Sequence, residues 1–413
     1  MNAKTNAIKS VCEAPTLSES LKNFRNNENL LENCKFIFTK EGEPNIPEHV
    51  RQRTFSNGFG IFNILLSDSI FVLDSEILNG MVKDGTVNYT IDSSVALDSM
   101  AVSYLRRYLN NQENRIPKEF KEIFEYLVQS KVNIDPMPYM MENIKNVGDQ
   151  SKVASILEIL KSYEILKNID RDKWFEEGII QSKSSIEQIE ENAKIYLEQM
   201  LNISKDNNTL KYINDIYNLR YCLLLKIVLI QLSNPQRNIE AKLEELLEFC
   251  HNSIGVLPLR EIVIAKEYFK RGQNLKFFGK IQKGNKKLIT TIKNMTWDIY
   301  HIVSMEKNIP HFPSEGDYFI PAFLTFDKRL IEILNLYHIK SIGFSKESNE
   351  IYPLFDANEF YTEINGKPNL EFYFSEEAKI NREKNLQLKT NLQLKKNIES
   401  LINILENKLL EYS

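Results

Sequence analysis

From about residue 116 to residue 252 the chain reads as an almost unbroken succession of amphipathic helices, set between two stretches of strand and turn chemistry. In SKVASILEILKSYEILKNI, SIEQIEENAKIYLEQML, YINDIYNLRYCLLLKIVLIQL and IEAKLEELLEFC, apolar residues recur every three or four positions with charges between them, as in helices that turn one face to a core. Pro136, Pro138, Pro235 and a polar stretch near 204 supply the breaks. No repeat of about 30 to 45 residues runs through the block, so a helical repeat array has no support. The block constrains everything else, because strands on its two sides can share a sheet only if it is an insertion.

Before it, FNILL, SIFVLD and VNYTID are short apolar runs separated by turn-rich joints, which predicts strands from Ile61 onward. After Asp92, Val95, Met100, Val102 and Leu105 follow a helical spacing, so VNYTID and this helix read as the opening of a βαβ unit. Beyond the block, AFLTFD predicts a strand, KRLIEILNLYH a helix with Leu330, Ile331 and Leu334 on one side, and IKSIGF a further strand: a second, compact βαβ unit. The expected organisation is an arm or peripheral layer over 1–55 and the first part of an α/β domain over 56–115. A helical insertion over 116–252, the second part of the α/β domain over 253–375 and a C-terminal helix over 376–413 complete it. That helix carries Leu394, Ile398, Leu401 and Leu405 and is expected to pack on the body or on a second copy.

Composition narrows the function classes. Lys and Arg number 52 against 56 Asp and Glu, a net charge of −4, so a polyanion partner would have to be held by a local patch. One such patch exists. Between Tyr268 and Trp297 there is no acid, while Lys270, Arg271, Lys276, Lys280, Lys283, Lys286, Lys287 and Lys293 are all positive, with Phe277 and Phe278 among them. Lysines that neutralise phosphates and aromatics that stack on unpaired bases suit a single strand. The start has no hydrophobic signal and no run approaches 18 apolar residues, so a cytoplasmic location is expected. Cys12, Cys34, Cys222 and Cys250 form no CxxC, and the histidines form no HxH or HExxH, so any bound metal should be held by carboxylates.

Four acids stand where such chemistry could be assembled. Asp92 in YTIDSS and Asp327 in FLTFDKRL are placed at strand exits, and in an open parallel sheet the carboxyl ends of adjacent strands face one crevice. Asp298 in NMTWDIYHIVSM is expected in the first turn of a helix. Glu261 in LPLREIVIAKEYF interrupts an apolar helix face. Gathered in one pocket, four carboxylates would repel one another unless a hard divalent cation joined them, and magnesium or manganese is the natural choice. The competing reading of each is bland: a helix cap for Asp327 and Asp298, a surface ion pair for Glu261.

Asp92 with Ser94, Glu261, Asp298 and the LTxDKRL run from Leu324 to Leu330 together resemble the PIN-domain nucleases. The resemblance covers roughly 85–110 and 255–345. It implies a PIN-like parallel sheet flanked by helices, here interrupted by a large all-α insertion. It also implies a metal-dependent endoribonuclease, with RNA as substrate and single-stranded DNA as the other candidate. Asp92, Glu261, Asp298 and Asp327 would bind Mg2+ or Mn2+, Ser94 and Thr325 would orient ligands or phosphate, and the basic stretch from Lys270 would hold the strand. A toxin, a phage-defence effector or a processing enzyme would fit, and the helical block or last helix would serve a regulator or self-association. The chain departs from the family in length and in the separation of its first two acids, which leaves Asp74 and Asp98 as rivals of Asp92, Glu267 as a rival of Glu261 and Asp317 as a spare ligand. Readings from other classes are a non-catalytic helical scaffold and a DNA-processing nuclease; no GxxxxGK[ST] loop is present.

Overall fold

The protein is described by a computed structural model at residues 3–85, 87–129, 132–310, 317–347, 350–387 and 391–413. It is mixed α/β and divides into two compact units. The first comprises Met1–Leu210, Val303–Lys328 and Ile339–Leu354, the second Lys211–Ile302, Arg329–His338 and Phe355–Ser413.

The first unit holds the sheets, apart from the strand-end residues His338, Phe355 and Asp356. Its strands are β1 (Cys34–Thr39), β2 (Arg53–Thr54), β3 (Gly60–Asn63), β4 (Ile70–Leu73), β5 (Ile91–Asp92), β6 (Ser94–Leu97), β7 (Asn133–Asp135), β8 (Tyr318–Phe319), β9 (Ala322–Thr325), β10 (His338–Ser345) and β11 (Ile351–Asp356). One sheet has the order β11-β10-β1-β4, with β1 antiparallel to both β10 and β4. The other has the order β2-β3-β9-β6-β7; its β9, β6 and β7 are mutually parallel, and β3 and β2 extend it antiparallel. All four residues of β6 and of β9 are buried, as expected of parallel strands covered on both faces. A third pairing, β5 with β8, is parallel and two residues long.

Helices cover these sheets. Ala3–Cys12 and Leu17–Asn26 bury Ile8, Val11, Cys12 and Phe24 against Phe36 and Phe38 of β1. The approach is close: a Cβ on Gly343 of β10 would come within 2.8 Å of Ile8, Cys12 and Phe36, so only glycine fits. Of the two expectations for 1–55, an arm or a peripheral layer, the packing has the character of a layer, and it includes β1. CKFIFTK is an inner strand, and the short polar helices before it hide that role in the sequence.

The second unit is largely helical. Asn207–Ser233 buries Cys222, Leu223, Leu224, Leu225, Ile227 and Val228 in succession, so it is enclosed on several sides. Among the described residues it is the one helix long and apolar enough to cross a membrane, and 56% of its most apolar window is buried within the protein, as in a core helix. Leu243 and Leu247 of Ile239–Phe249, Ile262 and Val263 of Leu259–Arg271, and Phe360 and Ile364 of Asn358–Ile364 form a second core. At about 25 cal/mol per Å² of apolar surface, each such side chain contributes roughly 1.5–3 kcal/mol when fully buried. The Arg260 guanidinium lies 4.9 and 4.8 Å from the Tyr337 and Phe355 ring centroids, a cation between two aromatic faces.

Three further expectations change. The helical block of 116–252 contains a strand, β7, and is divided between the units at Leu210, and the segment 253–375 likewise contributes to both. β9 and β10, joined by the helix Lys328–Leu334, lie in different sheets, so AFLTFD and IKSIGF are not a parallel βαβ pair. The region 376–413 forms two helices, Glu376–Gln387 and Asn391–Leu410.

Candidate active site

Three parallel strands of the first unit end at acids. Leu97 closes β6 and Asp98 follows, its Oδ1 accepting the Ala101 amide at 2.6 Å, so that it caps the helix Ser99–Leu109. β7 ends at Asp135, whose Oδ1 accepts the Met137 amide at 2.8 Å as the chain turns into Met137–Asn143. β9 ends at Thr325, which is fully buried; its Oγ1 accepts the Asp327 amide at 3.0 Å and fixes the turn that presents Asp327. Asp98 and Asp135 have local roles as turn and cap acceptors, and both act at the same edge of the sheet.

The register sets their spacing. Leu97 pairs with Leu324 and Ala96 with Asp135. Neighbouring strands lie about 4.8 Å apart with a rise of about 3.3 Å per residue. Asp98 therefore stands beside Thr325, two residues short of Asp327, and Asp135 stands two residues back on the other flank. A fourth acid joins them from Met137–Asn143: Glu142 Oε2 accepts a hydrogen bond from the Ser99 hydroxyl, which ties it to the first residue of the Asp98-capped helix. Arg106 and Glu142 both act on the buried Tyr139 phenol, whose pKa is pushed up chiefly by burial; Arg106 opposes the rise and Glu142 adds to it. Among the described residues, no three His, Cys, Asp or Glu side chains converge on a point that could hold an ion.

Next to this edge is an aromatic cluster. Phe326, between Thr325 and Asp327, lies 5.3 Å from the Phe59 ring and 5.0 Å from Tyr104, and stacks on Phe120 at 5.8 Å. Phe326 and Phe120 are buried, whereas Phe59 and Tyr104 are partly exposed.

The residues expected from sequence fall differently. Asp327 is at a strand exit, as expected. Asp92 is at the opposite end of β6: it pairs with Phe319 in β5, accepts the Ser93 amide at 2.8 Å, and precedes Ser94, where β6 begins. Six residues separate it from Asp98, roughly 20 Å in extended chain. The exit acid is its rival, Asp98. Ser94 is buried at the same wrong end. Asp74 also caps a helix, Ser75–Asp84, but follows β4 of the other sheet, and it accepts the Tyr318 hydroxyl at 2.7 Å with the Lys35 ammonium at 3.7 Å. Asp317 is held by the amide and hydroxyl of Thr90, at 2.8 and 3.0 Å, and the Thr90 amide above all keeps its carboxyl below the ordinary aspartate value. The rest of that loop, 311–316, lies outside the described residues.

The other two expected acids belong to the second unit. Glu261 is 3% exposed and its Oε1 lies 3.4 Å from Arg220 Nε, an ion pair that accounts for a carboxylate on an apolar helix face. Its rival Glu267 is 3.5 Å from Lys266, which reaches Glu363 at 2.7 Å. Asp298 stands in the interior of Leu288–Asn308, three turns in, and Thr296 returns its hydroxyl to Ile292 O at 2.8 Å, so neither opens the helix. In the basic stretch, Phe277 and Phe278 are 2% and 0% exposed, and Phe278 stacks on Tyr268 at 3.9 Å. They are core residues and offer no face to a base. Lys270, Lys276, Lys280, Lys283, Lys286, Lys287 and Lys293 are exposed, while Arg271 pairs with Glu332.

In comparison with known proteins, the chain matches no family model, no curated protein and no solved structure.

Proposed function

We propose that the protein is a metal-dependent nuclease whose catalytic edge is formed by Asp98, Asp135, Asp327 and Glu142, with RNA as its substrate. One observation carries this reading: three adjacent parallel strands, β7, β6 and β9, each hand over to an acid at the same sheet edge. Such an edge is where open α/β sheets place ligands. The donors are all carboxylate oxygens, which fits a hard cation such as Mg2+ or Mn2+. Asp98 and Asp327, two positions apart on neighbouring strands, are the pair that would hold it after side-chain rotation; Asp135 and Glu142 stand further back along the same edge. When bound there, the ion supplies water activation and neutralisation of charge on the phosphate.

The chain's own residues do the positioning. Thr325 Oγ1 holds the Asp327 backbone in its turn, and Ser99 orients Glu142. The exposed lysines of the second unit's 270–293 stretch would draw in the polyanion. PIN-like topology, a cytoplasmic location and a toxin or defence role belong to the same proposal. Self-association or binding of a regulator through the helical regions does too. Glu261 and Asp298 are not among the acids that carry it.

The local hydrogen bonds of Asp98 and Asp135 favour a second reading, a non-catalytic α/β scaffold in which the acids serve as caps. Cleavage of labelled RNA and single-stranded DNA with Mn2+ separates the two. Asn keeps the capping oxygen of Asp98 and the backbone turn of Asp327, so Asp98→Asn and Asp327→Asn should keep the wild-type melting temperature and lose about 100-fold in rate, the equivalent of about 3 kcal/mol of transition-state stabilisation. Full activity in both variants, or none in the wild type, leaves the scaffold reading standing.

A further inference from the structure

The cluster beside Asp327 goes beyond what the acids require. Phe59 and Tyr104 flank Phe326 at 5.3 and 5.0 Å, and both residues are partly exposed. Phe59 is presented by a tight loop whose Gly58 has φ of +73°. Over its ring, 5.4 Å from the centroid, lies the ammonium group of Lys328, the residue that follows Asp327. The group over the ring is a long, hydrated cation, which moves away at little cost when an anion offers itself.

From this arrangement we infer that Phe59 and Tyr104 form a stacking shelf for an unpaired nucleobase, with Lys328 moving from the ring to the phosphate next to that base. The shelf makes the substrate a single strand, since a base in a duplex has both faces stacked already and cannot lie on a side-chain ring. The inference rests on the nuclease reading for its substrate class. It assigns to the β9 exit the aromatic role that the buried Phe277 and Phe278 do not fill.

The test is equilibrium binding of a fluorescein-labelled 20-nucleotide RNA to the full chain in EDTA, so that no cleavage enters. Wild type should bind the single strand at least tenfold more tightly than the same sequence in duplex form. Phe59→Leu retains an apolar contact with Phe326 and removes the π-face; it and Tyr104→Leu should each weaken single-strand binding by roughly 5- to 100-fold, the range for one stacked base. Duplex binding should not change. An RNA with abasic positions, tested on wild type, should show the same loss without altering the protein. Unchanged affinity in the folded variants, no effect of abasic positions, equal binding of duplex and single strand, or no binding by wild type would each overturn the shelf. Because the readout needs no metal, a protein that binds in this way yet never cleaves would reject the nuclease reading alone. One that cleaves with Phe59→Leu binding as wild type does would reject the shelf alone.

Discussion

A carboxylate buried on an apolar helix face is stable only with a cation beside it, and in Glu261 that cation is Arg220. The Glu261 side chain is 4% exposed and that of Arg220 14%, so water replaces a lost partner poorly, at the glutamate above all. Glu261→Gln should therefore lower stability by about 3–5 kcal/mol, the cost of leaving one member of a buried pair uncompensated. Urea unfolding measures it directly. Cleavage per folded molecule should not change, which distinguishes a structural acid from a ligand. Asp98 presents the opposite case: its capping role survives replacement by Asn, so stability should hold while activity falls. Sequence alone ranked Glu261 as a ligand and Asp98 only as a rival of Asp92, because nothing in LREIV or VALDSM reports where the nearest arginine is.

At the scale of elements, the link between Asn207–Ser233 and Ile239–Phe249 shows how charge joins helices in the second unit. Glu245 accepts the Lys226 ammonium at 2.6 Å and pairs with Arg237. Burial alone would raise its pKa; the two cations more than reverse this and hold the carboxyl below its ordinary 4.5. A depressed folded-state pKa stabilises the protein above the unfolded value and ceases to do so as pH falls through the folded one. The melting-temperature difference between wild type and Glu245→Gln should thus be constant from neutral pH down to about 4.5 and shrink below it. A difference that persists into strong acid would show that the carboxylate's charge is not its source.

Elements of this length were legible in proportion to their regularity. LTFDKRL gave β9, its turn and Asp327, and the long amphipathic helices were plain, since each repeats its pattern over several turns. Asp92 was misplaced because SVAL is a four-residue strand with a helix-compatible spacing, and so the strand exit was read six residues early. A usable signal was present in LDSM, an acid directly before a helical run, as an N-cap stands. Glu142 had none: its helix, Met137–Asn143, is seven residues long, too short to display a period, and its tie to Ser99 spans 43 positions of sequence. β1 was lost for a different reason, since a strand's place in a sheet is decided by partners that come some 300 residues later in β10.

For the molecule as a whole, charge is the property that a polyanion meets first. A chain of net charge −4 should repel RNA at long range, yet the 268–297 stretch carries eight positive groups and no acid. Its lysines are not equivalent. Lys293 is 3.1 Å from Glu406 and Lys283 lies over the Tyr412 ring at 5.1 Å, whereas Lys280, Lys286 and Lys287 are exposed beside the turn at Gly284. If those three neutralise phosphates, each releases condensed counterions and adds about 0.7 to the steepness with which log affinity falls against log salt on a single strand. The triple variant Lys280→Gln, Lys286→Gln, Lys287→Gln should then bind RNA more weakly at low salt and flatten that slope by about 2. The preference for single strand over duplex should survive if the rings at the β9 exit read the base, since lysines would read only phosphate. A slope equal to that of wild type would remove the basic stretch from the RNA path, and a lost single-strand preference would show that phosphate contacts, not stacking, had produced it.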